Sequence, residues 1–297
     1  MMTVKLESVQ VSNHDSAVVQ VARIPLDVGK YKLAVAIAAA SIVTGSGLLP
    51  VILYLVLTEA AGLELWIVFT ILGTGIGVLS VAMMLRRTWR LVRPNATCRP
   101  RNSQWYNLDY FQWNFFSGFC YIAALMIAAI STSPHKGSHD TSTRLMSLPL
   151  PLLILQVSSQ LLFACAMSRI KAKYPFRVSS MDRSNRVRPG VYTIVEDVVA
   201  VDCGQGQEYR RLFDARYCSS RPVRVLLERL DLAWGLSGAL VASLLVALVS
   251  TLPNTDAVFL IGWLVPWGWA GALAVATRCM WKIALMHEKS GDPGGRE

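Results

Sequence analysis

Five residues near the middle of the chain have side chains that could do chemistry. Arg188, Tyr192, Glu196, Asp197 and Asp202 lie in the run Arg188-Pro189-Gly190-Val191-Tyr192-Thr193-Ile194-Val195-Glu196-Asp197-Val198-Val199-Ala200-Val201-Asp202. The acids among them, Glu196, Asp197 and Asp202, are grouped so that they could hold a metal–diphosphate, as in prenyl-transferring enzymes, and all five residues are the candidate catalytic residues. On a helix, Glu196 and Asp202 stand roughly 240° apart at about 100° per residue and point away from each other; on a strand they would share a face. No repeated Asp-rich motif backs them, and the interval 169–232 carries thirteen Lys and Arg. Ion pairing and helix capping are therefore the expected roles of these acids, with chemistry the sharper alternative.

A second set could bind a lipophilic substrate. Asp109 and Asn114 lie among Trp105, Tyr106, Tyr110, Phe111 and Trp113, an interfacial aromatic belt before an apolar block. Gln156, Ser159 and Gln160 fall at i, i+3 and i+4, so they share one helix face within another block. Trp267 sits beside Pro266 in the last block, with Trp263 and Trp269 close by. Asp109, Asn114, Gln156, Gln160 and Trp267 are thus candidate substrate-binding residues. Interhelical hydrogen bonds and packing are the plainer reading of the same positions.

Other chemistries find little support. His14, His135, His139 and His287 all lie outside the apolar blocks, which counts against a haem held between spans and against clustered histidine boxes. His135 and His139 are four apart in a loop with Pro134 and Gly137, and Cys203 with Cys218 is a weak metal pair, so no metal and no cofactor is expected. Gly73-Thr74-Gly75-Ile76-Gly77 lies inside an apolar block with no strand before it, so it reads as helix packing. No Gly-Lys-Ser/Thr loop is present, and no block has an ionisable residue at its middle. An ATP motor and a proton-coupled pump are therefore disfavoured.

The elements that must position these residues are apolar. The 297 residues are 53% hydrophobic and only 16% charged, with a mean hydropathy of +0.41. Blocks near twenty apolar residues recur at about 33–57, 63–85, 113–131, 148–168, 233–252 and 257–277. At 1.5 Å per residue, each is close to the ~30 Å of a bilayer's hydrocarbon layer. The expected fold is all-α, a polytopic six-transmembrane-helix bundle. A tail at 1–31 precedes helices 1–4 within 32–168. A small cytosolic helical module at 169–232 precedes helices 5 and 6 within 233–277, and a tail at 278–297 follows.

Lys and Arg orient the bundle. The intervals before the first block, between the second and third, between the fourth and fifth, and after the sixth hold 27 of them, and the remaining intervals hold 2. The positive-inside rule then puts both termini and both basic loops in the cytosol. With the net charge of +10 confined to these gaps, the expected partner is the lipid bilayer and not nucleic acid. The cysteines fall in cytosolic loops or crossings, so no disulfide framework is implied, and the sequon Asn95-Ala96-Thr97 should stay unmodified.

Within the module, Thr193-Ile194-Val195-Glu196 has capping-box spacing, predicting a helix from Ile194 to about Asp202 ended by Gly204. A second helix is expected over 208–217. Pro222 should begin a third, with Val223, Leu226, Leu227 and Leu230 on one face and an Arg224–Glu228 pair at i, i+4.

The run Tyr174-Pro175-Phe176-Arg177-Val178-Ser179-Ser180, followed by the run Arg188 to Asp202, resembles a stretch typical of uncharacterised multi-pass membrane proteins of filamentous fungi. The similarity is clearest over 174–202 and continues more loosely through 208–217 and the fifth block. Cys203 stands where a glycine-rich continuation is expected. The resemblance implies a membrane protein and carries no catalytic residue with it. By association it implies a setting in fungal secondary metabolism. The leading functional expectation is an enzyme or accessory protein acting on a lipophilic intermediate. The alternatives are a small-molecule carrier and a non-catalytic anchor recruiting cytosolic pathway proteins.

Overall fold

The computed structural model describes residues 44–101, 103–104, 106–133 and 139–290. The N-terminal tail, the start of the first apolar block, Trp105, His135 and the end of the C-terminal tail lie outside the described residues, as do the side chains of His139 and His287. Among the described residues the fold is all-helical, with only two isolated bridges, Lys173 to Arg186 and Val178 to Met181.

The elements are α1 (Leu49–Leu55), flanked by π-helical turns Thr44–Leu48 and Val56–Ala60, then α2 (Leu65–Val92), α3 (Tyr110–Thr132), α4 (His139–Ser147) and α5 (Pro149–Arg169). After a polar loop come α6 (Gly190–Val201), α7 (Gly206–Ser219), α8 (Arg221–Thr251) and α9 (Thr255–Ser290). Five helical stretches are long and apolar enough to cross a membrane: 65–92, 110–132, 140–169, 221–251 and 255–284. The described part of the first expected block is a shorter apolar helix, Leu49–Ala60.

Local chemistry explains the boundaries. Pro149 and Pro222 sit in the first turns of α5 and α8, where a missing N–H costs nothing. The third short helix expected from Pro222 is the opening of α8, which runs unbroken for 31 residues. Its Val223, Leu226, Leu227 and Leu230 are buried, as the periodicity predicts. Arg224 does not form the expected pair with Glu228. It reaches back to the carbonyls of Tyr217 (3.0 Å) and Cys218 (2.6 Å), where α7 ends and carbonyls lack helical partners.

Long helices pack closely through small residues. α5 lies along α8, where Gly235 leaves room for Leu162 and Gly238 for Ser158 and Trp269. At the end of the bundle near α4, Tyr54 stacks on Phe259 at 4.1 Å and donates to Asp256 (2.7 Å). Phe69, Met126, Met146 and Trp263 complete that core. Here Arg144 donates to the carbonyls of Val249 and Leu252 (2.7 Å to the latter), capping the C-terminus of α8. This arginine, placed in an outer loop by the count of Lys and Arg, is engaged with a helix end. Gly262 of α9 abuts the backbone carbonyl of Ser147, whereas Gly268 faces open space. Gly262→Ala should therefore lower the unfolding temperature in detergent, by the equivalent of about 2 kcal/mol or more, while Gly268→Ala should be neutral or slightly stabilising.

Candidate functional site

The segment between α5 and α8 docks on the bundle end where α2 finishes and α3 begins. α6 touches α3, α5, α7 and α8. Its start differs from the capping-box expectation. The helix begins at Gly190, three residues before Thr193, and Thr193 and Glu196 lie buried within it. The cap comes from another helix: the carboxylate of Asp231 on α8 accepts from the amides of Gly190 and Val191, both at 2.7 Å. A carboxylate at a helix N-terminus satisfies free N–H groups and faces the positive end of the helix dipole. Gly190 is needed here because a Cβ would run into Leu161 and Ala164 of α5 at 2.9 and 3.2 Å. At the other end, Arg90 of α2 donates to the carbonyls of Val201 (3.1 Å) and Asp202 (3.2 Å), and Gly204 at φ +69° turns the chain away.

Beneath α6 lies a cluster of ions withdrawn from water. Arg210 of α7 is fully buried, with Nη1 2.7 Å from Asp197 Oδ1 and 3.3 Å from Glu196 Oε1, and Nη2 3.9 Å from Asp109 Oδ2. It also donates to the carbonyl of Cys98 at 3.3 Å. Arg87 of α2 holds Asp109 at 2.5 Å with one nitrogen and Asp202 with the other, and its guanidinium lies 4.6 Å over the ring of Phe111. Asp197 Oδ2 accepts from the Ser179 hydroxyl (2.6 Å) and the Phe111 amide (3.3 Å). Asp109 is the N-cap of α3, accepting from the Gln112 amide at 2.8 Å, while Gln112 donates to Thr88 of α2 at 2.9 Å.

The structure thus brings Glu196, Asp197, Asp202 and Asp109 into one network. Glu196 and Asp202 diverge on the helix, as their spacing requires, and each meets a different arginine. Arg188 and Tyr192 belong to an adjoining layer. Arg188 pairs with Asp214 at 2.5 Å and lies between the rings of Tyr192 (4.6 Å) and Tyr217 (4.7 Å). Tyr192 in turn stacks on Phe213 at 4.7 Å. Partial burial would raise Asp214, but Arg188 and Arg101 outweigh it and hold the carboxyl below the usual range.

The other candidates stand apart from this cluster. Asn114 accepts weakly from Gln156 (3.4 Å), and Gln160 accepts from the Tyr110 hydroxyl at 2.9 Å, so α3 and α5 are tied by polar side chains. Trp267 lies against Gly47, whose missing side chain leaves space for the indole. Asn114, Gln156 and Gln160 form one polar bank on α3 and α5, and Trp267 of α9 packs against the first described turn.

Three carboxylates in the cluster, Asp109, Glu196 and Asp197, are at most 1% exposed and face two guanidiniums. Such depth makes ionisation costly. Burial, aided by the neighbouring Asp197, pushes Asp109 up to about 7 against the pull of Arg87. Burial raises Glu196 as well, with Arg210 opposing. Both Glu196 oxygens lack a hydrogen-bond donor of good geometry despite the 3.3 Å ion-pair distance. Among the described residues no three His, Cys, Asp or Glu side chains are arranged to hold a metal. The acids here face guanidiniums, amides and a hydroxyl, so their direct partners are internal to the protein.

Sequence reasoning missed Arg87 and Arg210. Arg210 shares a helix face with Phe213 and Tyr217 at i+3 and i+7, so its phase among aromatics is a usable signal. Arg87 is one of six basic residues in the interval 86–112, and nothing in its spacing marks it out.

Two outcomes follow. Arg210→Met leaves three buried carboxylates with one guanidinium and should cost about 3–5 kcal/mol in denaturant or thermal unfolding, whereas Arg211→Met, in an exposed and solvent-screened pair with Glu208, should leave the unfolding midpoint unchanged. The Asp109 carboxyl is raised on folding, so the folded state takes up a proton between about pH 4 and 7. Its contribution to stability is present at the acid end of that window and is lost as pH rises through it. Asp109→Asn, which keeps an N-cap, should flatten the fall in stability from pH 4.5 to 7.5 by on the order of 1–4 kcal/mol, read from unfolding at both pH values.

In comparisons with known proteins, one family model matches residues 9–291, described as a domain of unknown function (DUF8766). No curated protein and no solved structure matches.

Proposed function

The chain belongs to the DUF8766 family, and from its apolar helices and the site's geometry we propose that it is a multi-pass membrane anchor. In this reading its segment 169–232 is a rigid, non-catalytic cytosolic platform that recruits soluble partners. The observation that carries the reading is the closed ion cluster. The acids most suited to chemistry are engaged by Arg87 and Arg210, at most 1% exposed for Asp109, Glu196 and Asp197, and hold α6 and α7 against α2 and α3. A fixed platform needs such internal engagement, while an active site needs groups left open to a substrate.

The six-crossing topology, with both termini and the basic loops in the cytosol, is part of the proposal. It rests on the distribution of Lys and Arg and on five long apolar helices joined by a sixth block at 33–57. The platform offers exposed features for partners, chief among them Phe176, 67% exposed in the loop before α6. Phe176 touches none of the cluster's ions, so its replacement should leave the fold intact. Full-length protein in detergent should retain the same cytosolic proteins in repeated captures, and Phe176→Asp should lose most of them. Captures indistinguishable from a membrane control, or unaffected by the substitution, would contradict the platform.

A second reading, action on a lipophilic intermediate of fungal secondary metabolism, is favoured by one observation. Gln156 Oε1 is buried against Gly118 without a hydrogen-bond partner, a position an amphiphile's hydroxyl would satisfy. Deletion of the gene would then accumulate a defined precursor, and an unchanged metabolite profile would remove this alternative.

A further inference from the structure

A cleft of about 350 Å3 lies between the opening turns of α8 and the last turns of α9, away from the ion cluster. Val225, Leu226, Met280 and Ile283 form an apolar floor, and Arg221 and Arg229 stand at its edge. Both arginines are exposed, and among the described residues neither is in an ion pair. No acidic residue lines the cleft. Exposed Arg278 and Lys282 on α9 add to the positive field.

The cleft's depth follows from helix geometry. The apolar run of α8 begins near Ala233, so Arg229 lies about 6 Å outside it along the helix at 1.5 Å per residue. The headgroup layer of one leaflet is roughly 5–8 Å thick, which puts Arg229 at the level of lipid phosphates. Met280 is three residues beyond Thr277, the expected end of the last apolar run, and reaches the same level. The cleft therefore opens at the headgroup layer, and its apolar floor leads outward towards Arg221, about 18 Å from the apolar run by the same measure, so a phosphate held by both arginines is lifted above the ordinary headgroup level.

We propose that this cleft binds an acidic phospholipid of the surrounding bilayer, with its phosphate between Arg221 and Arg229. The two guanidiniums supply bidentate donors for phosphate oxygens. The floor covers the first methylenes of a chain lifted from the leaflet and so offsets the cost, about 0.8 kcal/mol each, of exposing them to water. Basic pockets between membrane helices on the cytosolic side suit acidic headgroups for these reasons. This site rests on the topology proposed above but not on the platform, since it uses neither the ion cluster nor Phe176.

Native mass spectrometry of the full-length protein in non-ionic detergent, with equal amounts of dioleoyl phosphatidylserine and dioleoyl phosphatidylcholine, tests the site. Phosphatidylserine adducts should exceed phosphatidylcholine adducts several-fold. Arg221→Gln/Arg229→Gln should abolish the preference, with the helical circular dichroism unchanged because both side chains are exposed. Lys282→Gln, on α9 but outside the cleft, should keep it. Equal retention of the two lipids by the unaltered protein, or an unchanged preference in the double variant, would overturn the proposal. So would an equal loss in Lys282→Gln, which would reduce the effect to diffuse charge. Lauric acid retained as well as phosphatidylserine would overturn the assignment to a bilayer phospholipid in favour of a free amphiphile.

Discussion

The burial of two arginines, Arg87 and Arg210, beneath α6 is the constraint on which the rest of the structure depends. A guanidinium removed from water costs several kcal/mol unless carboxylates and hydrogen bonds surround it. Arg210 meets that requirement with acids from α6 and the N-cap of α3, and Arg87 with the same N-cap and the end of α6. The acids in turn tolerate burial only because the arginines are there. Each partner comes from a different part of the chain, so the network exists only when α2, α3, α6 and α7 are all in place. It specifies the docking of α6 and α7 more than it stabilises it, since an apolar packing of equal volume could give comparable stability.

Helix ends carry the same logic outward. α6 is capped at its start by Asp231 of α8 and at its end by Arg90 of α2, and α3 is capped by Asp109, itself held by Arg87. The termini of the elements that leave the apolar bundle are therefore satisfied by the helices that traverse it. A helix of 12 residues such as α6 would be marginal alone and acquires order from those contacts. α8 supports this by running from the α6–α7 core into the bundle without a break, so that displacement of one would be felt by the other.

Hydropathy and periodicity made much of the architecture legible. The apolar blocks predicted long helices, and five were found near the expected places; the phase of Val223, Leu226, Leu227 and Leu230 was correct because a buried face has a period of 3.6. The convergence of Glu196, Asp197, Asp202 and Asp109 was not legible, because their partners lie 13 to 115 residues away and local spacing says nothing of such distances. Thr193 and Glu196 misled for a related reason. Their capping-box spacing is local, whereas Pro189, Gly190 and a carboxylate from α8 start the helix earlier and draw both residues inside it.

The central claim is that the arginine–acid cluster holds α6 and α7 to the membrane helices. Hydrogen–deuterium exchange of the full-length protein in detergent, comparing the unaltered chain with Arg87→Met, tests it most directly. Loss of Arg87 should speed exchange of amides in α6 and α7 by ten-fold or more while the apolar middles of α5 and α8 stay protected. Unchanged exchange in α6 and α7, or loosening spread evenly over every helix, would contradict the account.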